Sequence, residues 1–165
     1  METNDNGREL VLGRHYKIIS KIGKGKFGTV FKGVNVKTND IIAIKTENKN
    51  TPYKLLKNET TILKYLYDQG SRSIPIVYWF GLHLDSTCLV FTYYSLSLHD
   101  YIQKISNWDF DKKLSKINEI MSISLEIIQS LHSNLVLHRD IKSQNFIFKD
   151  DELFIIDFGL ATFFV

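Results

Sequence analysis

Cysteine is nearly absent from this sequence. The chain of 165 residues contains only Cys88, so no disulfide can form within it, and a reducing compartment is expected. Cys88 lies in an apolar, strand-like run, where a buried small hydrophobe is a more common interpretation than a reactive thiol. Proline is also scarce, with two residues. A composition without low-complexity runs excludes a largely disordered chain and favours one globular domain.

Long apolar runs and a strong charge bias are absent as well. No stretch approaches the roughly 20 residues of a membrane-spanning helix, and the polar start Met1–Arg8 carries no secretory signal. We therefore expect an intracellular protein, cytoplasmic or nuclear, with no membrane partner. Lys and Arg total 21 against 18 for Asp and Glu. This small excess gives no reason to expect a nucleic-acid partner.

Hydrophobic periodicity separates a strand-rich first half from a helical second half. β-rich runs predict an antiparallel meander over Tyr16–Ile22, Thr29–Val34, Ile41–Lys45, Ile76–Phe80 and Cys88–Tyr93. Spacings of three and four residues predict helices over Pro52–Asp68, Ser97–Ile105 and Lys116–Ser133. A last hairpin is predicted from Phe146–Phe148 and Leu153–Ile156.

Three glycines, Gly23, Gly25 and Gly28, follow the pattern G-x-G-x-x-G between the first two predicted strands. A dinucleotide fingerprint would instead open a helix. Between strands, the glycines would let the backbone of a hairpin turn press against phosphate groups. Taken alone, an ordinary glycine-rich hairpin explains the pattern equally well.

Lys45 and Glu59 are the next candidates. A lysine inside an apolar strand needs an anionic partner or ligand. On the predicted helix Glu59 shares the apolar stripe with Leu55 and Leu63, so both charged side chains face inward. An ion pair would hold the ammonium at nucleotide phosphates, although two unrelated surface charges would explain a single such pair more simply.

The segment from His138 to Asn145 carries the most specific pattern, His-Arg-Asp-Ile-Lys-Ser-Gln-Asn. Asp140 can orient a substrate hydroxyl and accept its proton, and Lys142 can stabilise charge on a transferring phosphoryl group. Asn145 offers a neutral oxygen to a metal ion. Asp157, followed by Phe and Gly after an apolar strand, offers the carboxylate that Mg²⁺ prefers.

In this order the four patterns match the signature set of eukaryotic protein kinases, which the chain resembles from about Tyr16 to Ala161. The resemblance implies ATP and Mg²⁺ as cofactors and a protein with a Ser or Thr hydroxyl as substrate. It implies that Asp140 and Lys142 are catalytic and that Asn145 and Asp157 hold the metal. The nucleotide-binding residues it implies are Ile22, Gly23, Gly25, Gly28, Val30, Ala43, Lys45, Glu59, Phe91, Thr92, Tyr94 and Ile147.

Individual roles follow from the same resemblance. Val30 and Ala43 would lie above the adenine, and Ile147 below it. Phe91 would be the gatekeeper, followed by the hinge Thr92–Tyr94. His138 and Phe158, with Leu63, would form part of a hydrophobic spine.

Lys142, two residues after Asp140, is similar to the lysine that Ser/Thr kinases have at this position. Several stretches are similar to the casein kinase 1 group, which includes the vaccinia-related kinases: Lys21–Gly23, Ser73–Pro75 with Trp79–Gly81, Ser97–Leu98 with Asp100, and Asn145–Ile147. Ser143–Gln144 departs from the Pro-Asp usual in that group.

The implied fold is α+β and kinase-like. A complete N-lobe would contain a five-stranded antiparallel sheet with one helix, and a partial C-lobe would be truncated after the Asp157–Gly159 motif. We expect an extension over residues 1–15, the N-lobe with hinge over 16–94 and the partial C-lobe over 95–165, with nucleotide in the cleft between the lobes. The helix Lys116–Ser133 would then expose apolar surface unless a separate chain completed the C-lobe.

Four functions remain open on the sequence. The first is a Ser/Thr kinase that transfers the γ-phosphate of ATP to protein hydroxyls. The second is an inactive kinase homologue that binds nucleotide or a partner. The third is one product of a split gene, and the fourth and weakest is an unrelated nucleotide-binding protein.

Overall fold

A computed structural model describes residues 11–25 and 28–164 of the chain. The chain forms two compact units. The first comprises the described residues up to Thr60 together with Ile76–Tyr93, and the second comprises Thr61–Pro75 and the residues from Tyr94 onward. Among the helices in the described ranges, none combines the length and apolar character that crossing a membrane requires.

The first unit is built on an antiparallel sheet. Its strands are β1 (Val11–Leu12), β2 (Tyr16–Gly25), β3 (Gly28–Asn35), β4 (Ile41–Asn48), β5 (Val77–His83) and β6 (Ser86–Thr92). They lie in the order β1-β2-β3-β4-β6-β5. The predicted five-stranded antiparallel sheet is confirmed, and β1 adds a short edge strand that was not predicted. Two residues are too few to show an alternating pattern, so only pairing with β2 reveals β1.

One face of this sheet carries the core of the first unit. Its buried members are Leu12, Tyr16, Ile42, Ile44, Cys88 and Val90. Burial raises the pKa of Cys88 to about 11, as expected for a small hydrophobe. Side chains alternate along a strand. Because Ile42 and Ile44 of β4 lie on the core face, Ala43 and Lys45 lie on the opposite face. The core therefore determines where Lys45 points.

Helix α1 (Leu55–Asp68) follows β4. The helix was predicted to begin at Pro52, but its first residue is Leu55, whose backbone N–H donates to Oε1 of the buried Glu47 at 3.1 Å. A carboxylate from the preceding strand therefore caps the helix, and no local pattern shows this. Gly70, with φ +90°, ends the helix as predicted.

The second unit contains helices α2 (Leu98–Lys104) and α3 (Phe110–Ser133) and short strands. The strands are β7 (Leu96–Ser97), β8 (Val136–Leu137), β9 (Phe146–Lys149), β10 (Glu152–Ile155) and β11 (Thr162–Phe163). β9 and β10 form the predicted hairpin, which β7 extends on the β9 side, while β8 pairs with β11. Buried apolar residues of this unit include Ile105, Leu131, Val136, Ile155 and Phe158.

Helix α3 begins at Phe110, so the predicted start at Lys116 was wrong. Asp109 caps the helix, because its Oδ1 accepts from the backbone N–H groups of Asp111 and Lys112. The apolar pattern begins only after this polar first turn, which is why periodicity missed the start. Farther along the predicted apolar stripe, Ile120 and Leu131 are buried, whereas Met121 and Leu125 are 57% and 64% exposed.

Candidate functional site

The two units divide the predicted site residues between them. The first unit carries Ile22, Gly23, Gly25, Gly28, Val30, Ala43, Lys45, Glu59, Phe91 and Thr92. The second carries Tyr94, Asp140, Lys142, Asn145, Ile147 and Asp157.

The glycines lie on the β2–β3 hairpin, where Gly23 pairs with Val30 and Gly25 with Gly28. The tip, Lys26–Phe27, lies outside the described residues. A Cβ at Gly28 would lie 2.0 Å from the carbonyl oxygen of Thr46, so only glycine allows this approach of β3 to β4. A Cβ at Gly23 or Gly25 would meet nothing within 4 Å. These two positions therefore have open space beside the backbone, where a ligand could approach.

The ion pair between Lys45 and Glu59 predicted from the sequence is present. Lys45 Nζ donates to Glu59 Oε2 at 2.8 Å, and their side chains are only 16% and 4% exposed. Lys45 comes from the face of β4 opposite the core, while Glu59 lies on the buried side of α1 with Leu56. A buried carboxylate paired in this way fixes the position of the lysine ammonium.

Ala43, Phe91 and Thr92 occupy the adjacent strands β4 and β6. Ala43 is buried and lies opposite Phe91 in the sheet, and Ile42 lies opposite Thr92. The Thr92 hydroxyl accepts from the backbone N–H of Ile76 at 3.1 Å. This bond anchors the end of β6 at Thr92, the first residue of the predicted hinge.

Tyr94 and Ile147 are held by the hairpin of the second unit. The ring of Tyr94 packs on Phe154 with centroids 5.1 Å apart. Ile147, on β9, pairs with Phe154 of β10 and Ser97 of β7. Ile147 therefore lies on this small sheet, and Tyr94 packs against it through Phe154.

Asp140 is the centre of a polar cluster in the loop after β8. One oxygen, Oδ2, accepts from Lys142 Nζ at 2.6 Å and from Asn145 Nδ2 at 2.9 Å. Asn145 Nδ2 also donates to the backbone oxygen of Asp140 at 2.8 Å. The bond from Lys142 lowers the pKa of Asp140 and the bond from Asn145 adds to this, while partial burial opposes it. Asp140 is therefore an ionised acceptor held in one orientation.

His138 stabilises this loop through hydrogen bonds of its imidazole ring. Its Nδ1 accepts from the backbone N–H of Asp140 at 3.3 Å, so its Nε2 is the nitrogen that donates, to the carbonyl oxygen of Ile156 at 2.9 Å. The imidazole is 2% exposed, and this burial lowers the pKa of His138 below its ordinary value. The ring packs edge-on against Phe158, with centroids 4.8 Å apart, as the predicted spine requires.

Ile156 connects the two predicted metal ligands. Its backbone N–H donates to the carbonyl oxygen of Asn145 at 2.8 Å, and its carbonyl oxygen accepts from His138. Asp157 follows directly, with φ +66°, in the left-handed region that aspartate enters more readily than most residues. Phe158 is fully buried next to it. The backbone of Asn145 is thereby tied to the residue that precedes Asp157.

The donor types fit a magnesium ion. Asn145 uses its amide nitrogen toward Asp140, so its amide oxygen remains on the other side of the group as a neutral ligand. Asp157 adds a carboxylate. Residues 11–25 and 28–164 contain no cluster of three or more His, Cys, Asp and Glu suited to a metal. Mg²⁺ bound through one or two carboxylates and substrate phosphates needs no such cluster.

Sequence reasoning missed the contacts that hold the segment after Asp157. Arg139, with φ +64°, donates from Nε to the carbonyl oxygen of Leu160 at 2.6 Å. β11 pairs with β8, placing Phe163 opposite Val136. A strand of two residues has no periodicity that the sequence could show. The signal that could have indicated these contacts was Arg139, because it lies between His138 and Asp140, which already had assigned roles.

Comparison with models of known families gives a match to the protein kinase domain over residues 16–165. The match begins at β2 and runs through the glycine hairpin, the Lys45–Glu59 pair, the Asp140 loop and Asp157. It supports phosphoryl transfer from ATP as the general activity. On this match, together with the geometry of both units, the chain belongs to the protein kinase family.

Proposed function

We propose that this chain is a Ser/Thr protein kinase, in which Asp140 orients a protein hydroxyl for attack on the γ-phosphate of ATP. The observation that supports this best is the Asp140 carboxylate, fixed by Lys142 at 2.6 Å and by Asn145 at 2.9 Å. A lowered pKa keeps the group ionised, so that it accepts a hydrogen bond from the hydroxyl.

The protein takes part in phosphoryl transfer mainly by positioning the reacting groups. The hydroxyl oxygen bonds to the γ-phosphorus as the bond to the β–γ bridging oxygen breaks, ADP leaves, and the hydroxyl proton passes to Asp140. Lys142, 46% exposed, contributes positive charge near the transferring group. Bound Mg²⁺ would neutralise charge on the phosphates, and Asn145 and Asp157 would hold it.

Lys45 and the glycine hairpin would hold the other end of ATP. Glu59 fixes the Lys45 ammonium, and an ammonium group suits phosphate oxygens. Open space beside Gly23 and Gly25 would let the backbone approach the phosphates. Val30, Ala43, Phe91, Thr92, Tyr94, Ile147 and Ile22 complete the proposed nucleotide site.

Specificity for Ser and Thr is supported by Lys142, and the casein kinase 1 group by the sequence stretches given above. An intracellular location is supported by the single buried Cys88. We also propose that the N-lobe with its hinge spans residues 16–94 and that the partial C-lobe begins at residue 95.

A second candidate is a kinase homologue that binds nucleotide or a partner without transfer. The observation in its favour is the apolar groove between α2 and α3, lined by residues such as Leu98, Met121 and Leu125. A further part of a C-lobe, supplied by a separate chain, would cover such a groove. Loss of that support would loosen Asp140, and catalysis by positioning is sensitive to small displacements.

One experiment separates the two candidates. Purified chain is incubated with radiolabelled ATP, Mg²⁺ and casein, beside Asp140→Asn and the surface control Asp111→Asn. Label in phosphoserine or phosphothreonine that only Asp140→Asn abolishes supports the kinase. ATP-dependent thermal stabilisation without any label transfer supports the binding module, and phosphotyrosine alone contradicts the assigned specificity.

A further inference from the structure

Two charged residues of β4, Lys45 and Glu47, lie on the same face of the strand. β4 pairs with β6 from Ile42 to Asn48 without a break in register, so side chains two residues apart share a face. Lys45 belongs to the proposed nucleotide site, whereas Glu47 has no assigned part in it. Glu47 is only 3% exposed. A carboxylate buried to this degree needs a hydrogen-bond partner.

The partner of Glu47 is the first residue of α1. Its Oε1 accepts from the backbone N–H of Leu55 at 3.1 Å. The N–H of Asn58 reaches the carbonyl oxygen of Lys54 in the regular helical pattern, but the first N–H groups of a helix have no partner inside it. The first turn also contains no acidic residue. Glu47 therefore supplies, from β4, the acceptor and the negative charge that suit the start of a helix.

The contact between Glu47 and Leu55 matches the contact between Lys45 and Glu59 in spacing. Four residues of a helix advance by about 6.0 Å, and two residues of a strand advance by about 6.6 Å. Leu55 and Glu59 are four residues apart, so they lie on the same side of α1. Because Glu47 meets the earlier helix residue and Lys45 the later one, β4 and this part of α1 run antiparallel. The strand therefore holds the helix at two points, one helical turn apart.

The two polar contacts do what apolar packing cannot. Leu56, 2% exposed, holds the start of α1 to the first unit, but hydrophobic contact has no preferred direction. A single polar contact would leave the helix free to turn about that point. The second contact fixes the direction of the helix, and with it the distance from Glu59 to Lys45. Displacements of about 1 Å are enough to disturb a site that works by positioning.

We propose that Glu47 is a positioning residue for nucleotide binding: it fixes the start of α1 so that Glu59 holds the Lys45 ammonium in place. In this role Glu47 does not contact the nucleotide and acts through the helix alone. The inference rests on the proposed function, because the Lys45 ammonium matters here as a ligand of ATP phosphates. A purely structural cap would instead lower stability and leave the affinity of the folded chain for ATP unchanged.

Four variants test this role. Glu47→Leu removes the acceptor, and Glu47→Gln retains an acceptor oxygen of the same reach. Leu55→Pro removes the donor instead, at a first helical position where proline is tolerated, and it also serves where Glu47→Leu does not fold. Asp109→Leu removes the cap of α3 and is the matched control for the loss of a helix cap.

Two measurements are made on the whole chain, at a temperature at which melting curves show that each variant is folded. Titration calorimetry gives the Kd for ATP in the presence of Mg²⁺. Hydrogen exchange detected by NMR, without nucleotide, gives the protection of the Leu55 N–H in wild type, Glu47→Leu and Glu47→Gln. The second measurement reports on the start of α1 whether or not ATP binds.

We expect the Kd for ATP to rise at least about fivefold in Glu47→Leu and Leu55→Pro, and to change less than about twofold in Glu47→Gln and Asp109→Leu. The Leu55 N–H should exchange at least about tenfold faster in Glu47→Leu than in wild type. An unchanged Kd in Glu47→Leu, or an equal rise in Asp109→Leu, would overturn the inference, because Glu47 would then act on stability alone. A wild type that does not bind ATP would overturn the proposed function, and this inference with it.

Discussion

The ammonium of Lys45 lies 2.8 Å from the carboxylate of Glu59, and both side chains are largely buried. The pair joins β4 to α1, and its position follows from two simple patterns. Alternation along β4 turns Lys45 away from the core residues Ile42 and Ile44, and the helical stripe turns Glu59 inward. Removing either side chain takes this short ion pair away from a charge that is largely shielded from water.

Breaking this pair should therefore destabilise the chain. Glu59→Leu leaves the Lys45 ammonium buried, and Lys45→Met leaves the Glu59 carboxylate buried, so each should cost roughly 2–4 kcal/mol of unfolding free energy. The double variant should recover much of this loss, because apolar side chains of similar size fill the space. Urea denaturation of the four proteins gives the coupling energy directly.

Additive losses in the double variant would contradict this account of the pair. Glu119→Leu on the exposed Lys116–Glu119 pair is the control and should change stability little. ATP binding gives a second readout: both single variants and the double variant should lose ATP-dependent stabilisation, whereas the control should keep it.

Gly28 and Gly25 face each other across the same hairpin but have different surroundings. Gly28→Ala would place a Cβ 2.0 Å from the backbone oxygen of Thr46, so β3 must move, at a cost of about 1–3 kcal/mol. Gly25→Ala meets nothing in the protein and should keep its melting temperature.

If the backbone at Gly25 approaches phosphate, Gly25→Ala should nevertheless raise the KM for ATP severalfold. Calorimetry and ATP titrations on both variants separate the two effects. Unchanged ATP kinetics in Gly25→Ala would show that this glycine does not contact the nucleotide.

The sequence predicted the elements that have long periodic patterns and the residues that belong to spaced motifs. The five principal strands, α1 and the β9–β10 hairpin follow from such patterns, as does the inward Glu59. The short pairings β1–β2 and β8–β11 could not be predicted, because a strand of two residues exists only through its partner. The helix caps Glu47 and Asp109 were missed, because a capping side chain is defined by its hydrogen bond to a backbone N–H group. That bond is visible only in the folded structure.

Lys142 and Asp140 form the next testable contact. Removing the ammonium in Lys142→Met should raise the pKa of Asp140 toward the ordinary value of about 3.9, since the bond from Lys142 is the main cause that lowers it. The depressed pKa stabilises the fold above that ordinary value, and this stability is lost as the pH falls through the folded pKa. Lys142→Met should therefore lose less stability on acidification than the wild type.

Carbon-detected NMR of the aspartate carboxyls, without nucleotide or metal, measures the change directly. Lys113→Met, in the first turn of α3, is the control, because Lys113 donates to the carbonyl oxygen of Ser106 and not to Asp140. An Asp140 titration that is identical in wild type and Lys142→Met would show that the 2.6 Å contact does not persist in solution. Phosphoryl transfer should fall in Lys142→Met even at neutral pH, because its positive charge near the phosphate is lost.

His138 should make the chain sensitive to mild acid. Burial lowers its pKa in the folded state, so the unfolded state binds the extra proton first as the pH falls. Its contribution to stability is present above the unfolded pKa of about 6.5 and is lost progressively as the pH falls toward the folded pKa. The hydrogen bond to the carbonyl oxygen of Ile156 and the charges of Asp157 and Asp140 oppose this shift, and the contribution of His138 is measured as the difference between wild type and His138→Gln.

Urea denaturation at several pH values between about 7 and 5 should give an unfolding free energy that falls by up to roughly 1.4 kcal/mol per pH unit on account of this one group. His138→Gln retains an amide that can donate to the carbonyl oxygen of Ile156 but cannot titrate, so its pH slope should be shallower than that of wild type. His132→Gln, at an exposed position on α3, is the matched control. Equal slopes in wild type and His138→Gln would mean that water reaches the imidazole and that it protonates freely in the folded state. The Asp140 loop would then lack the rigid support that its hydrogen bond to His138 implies.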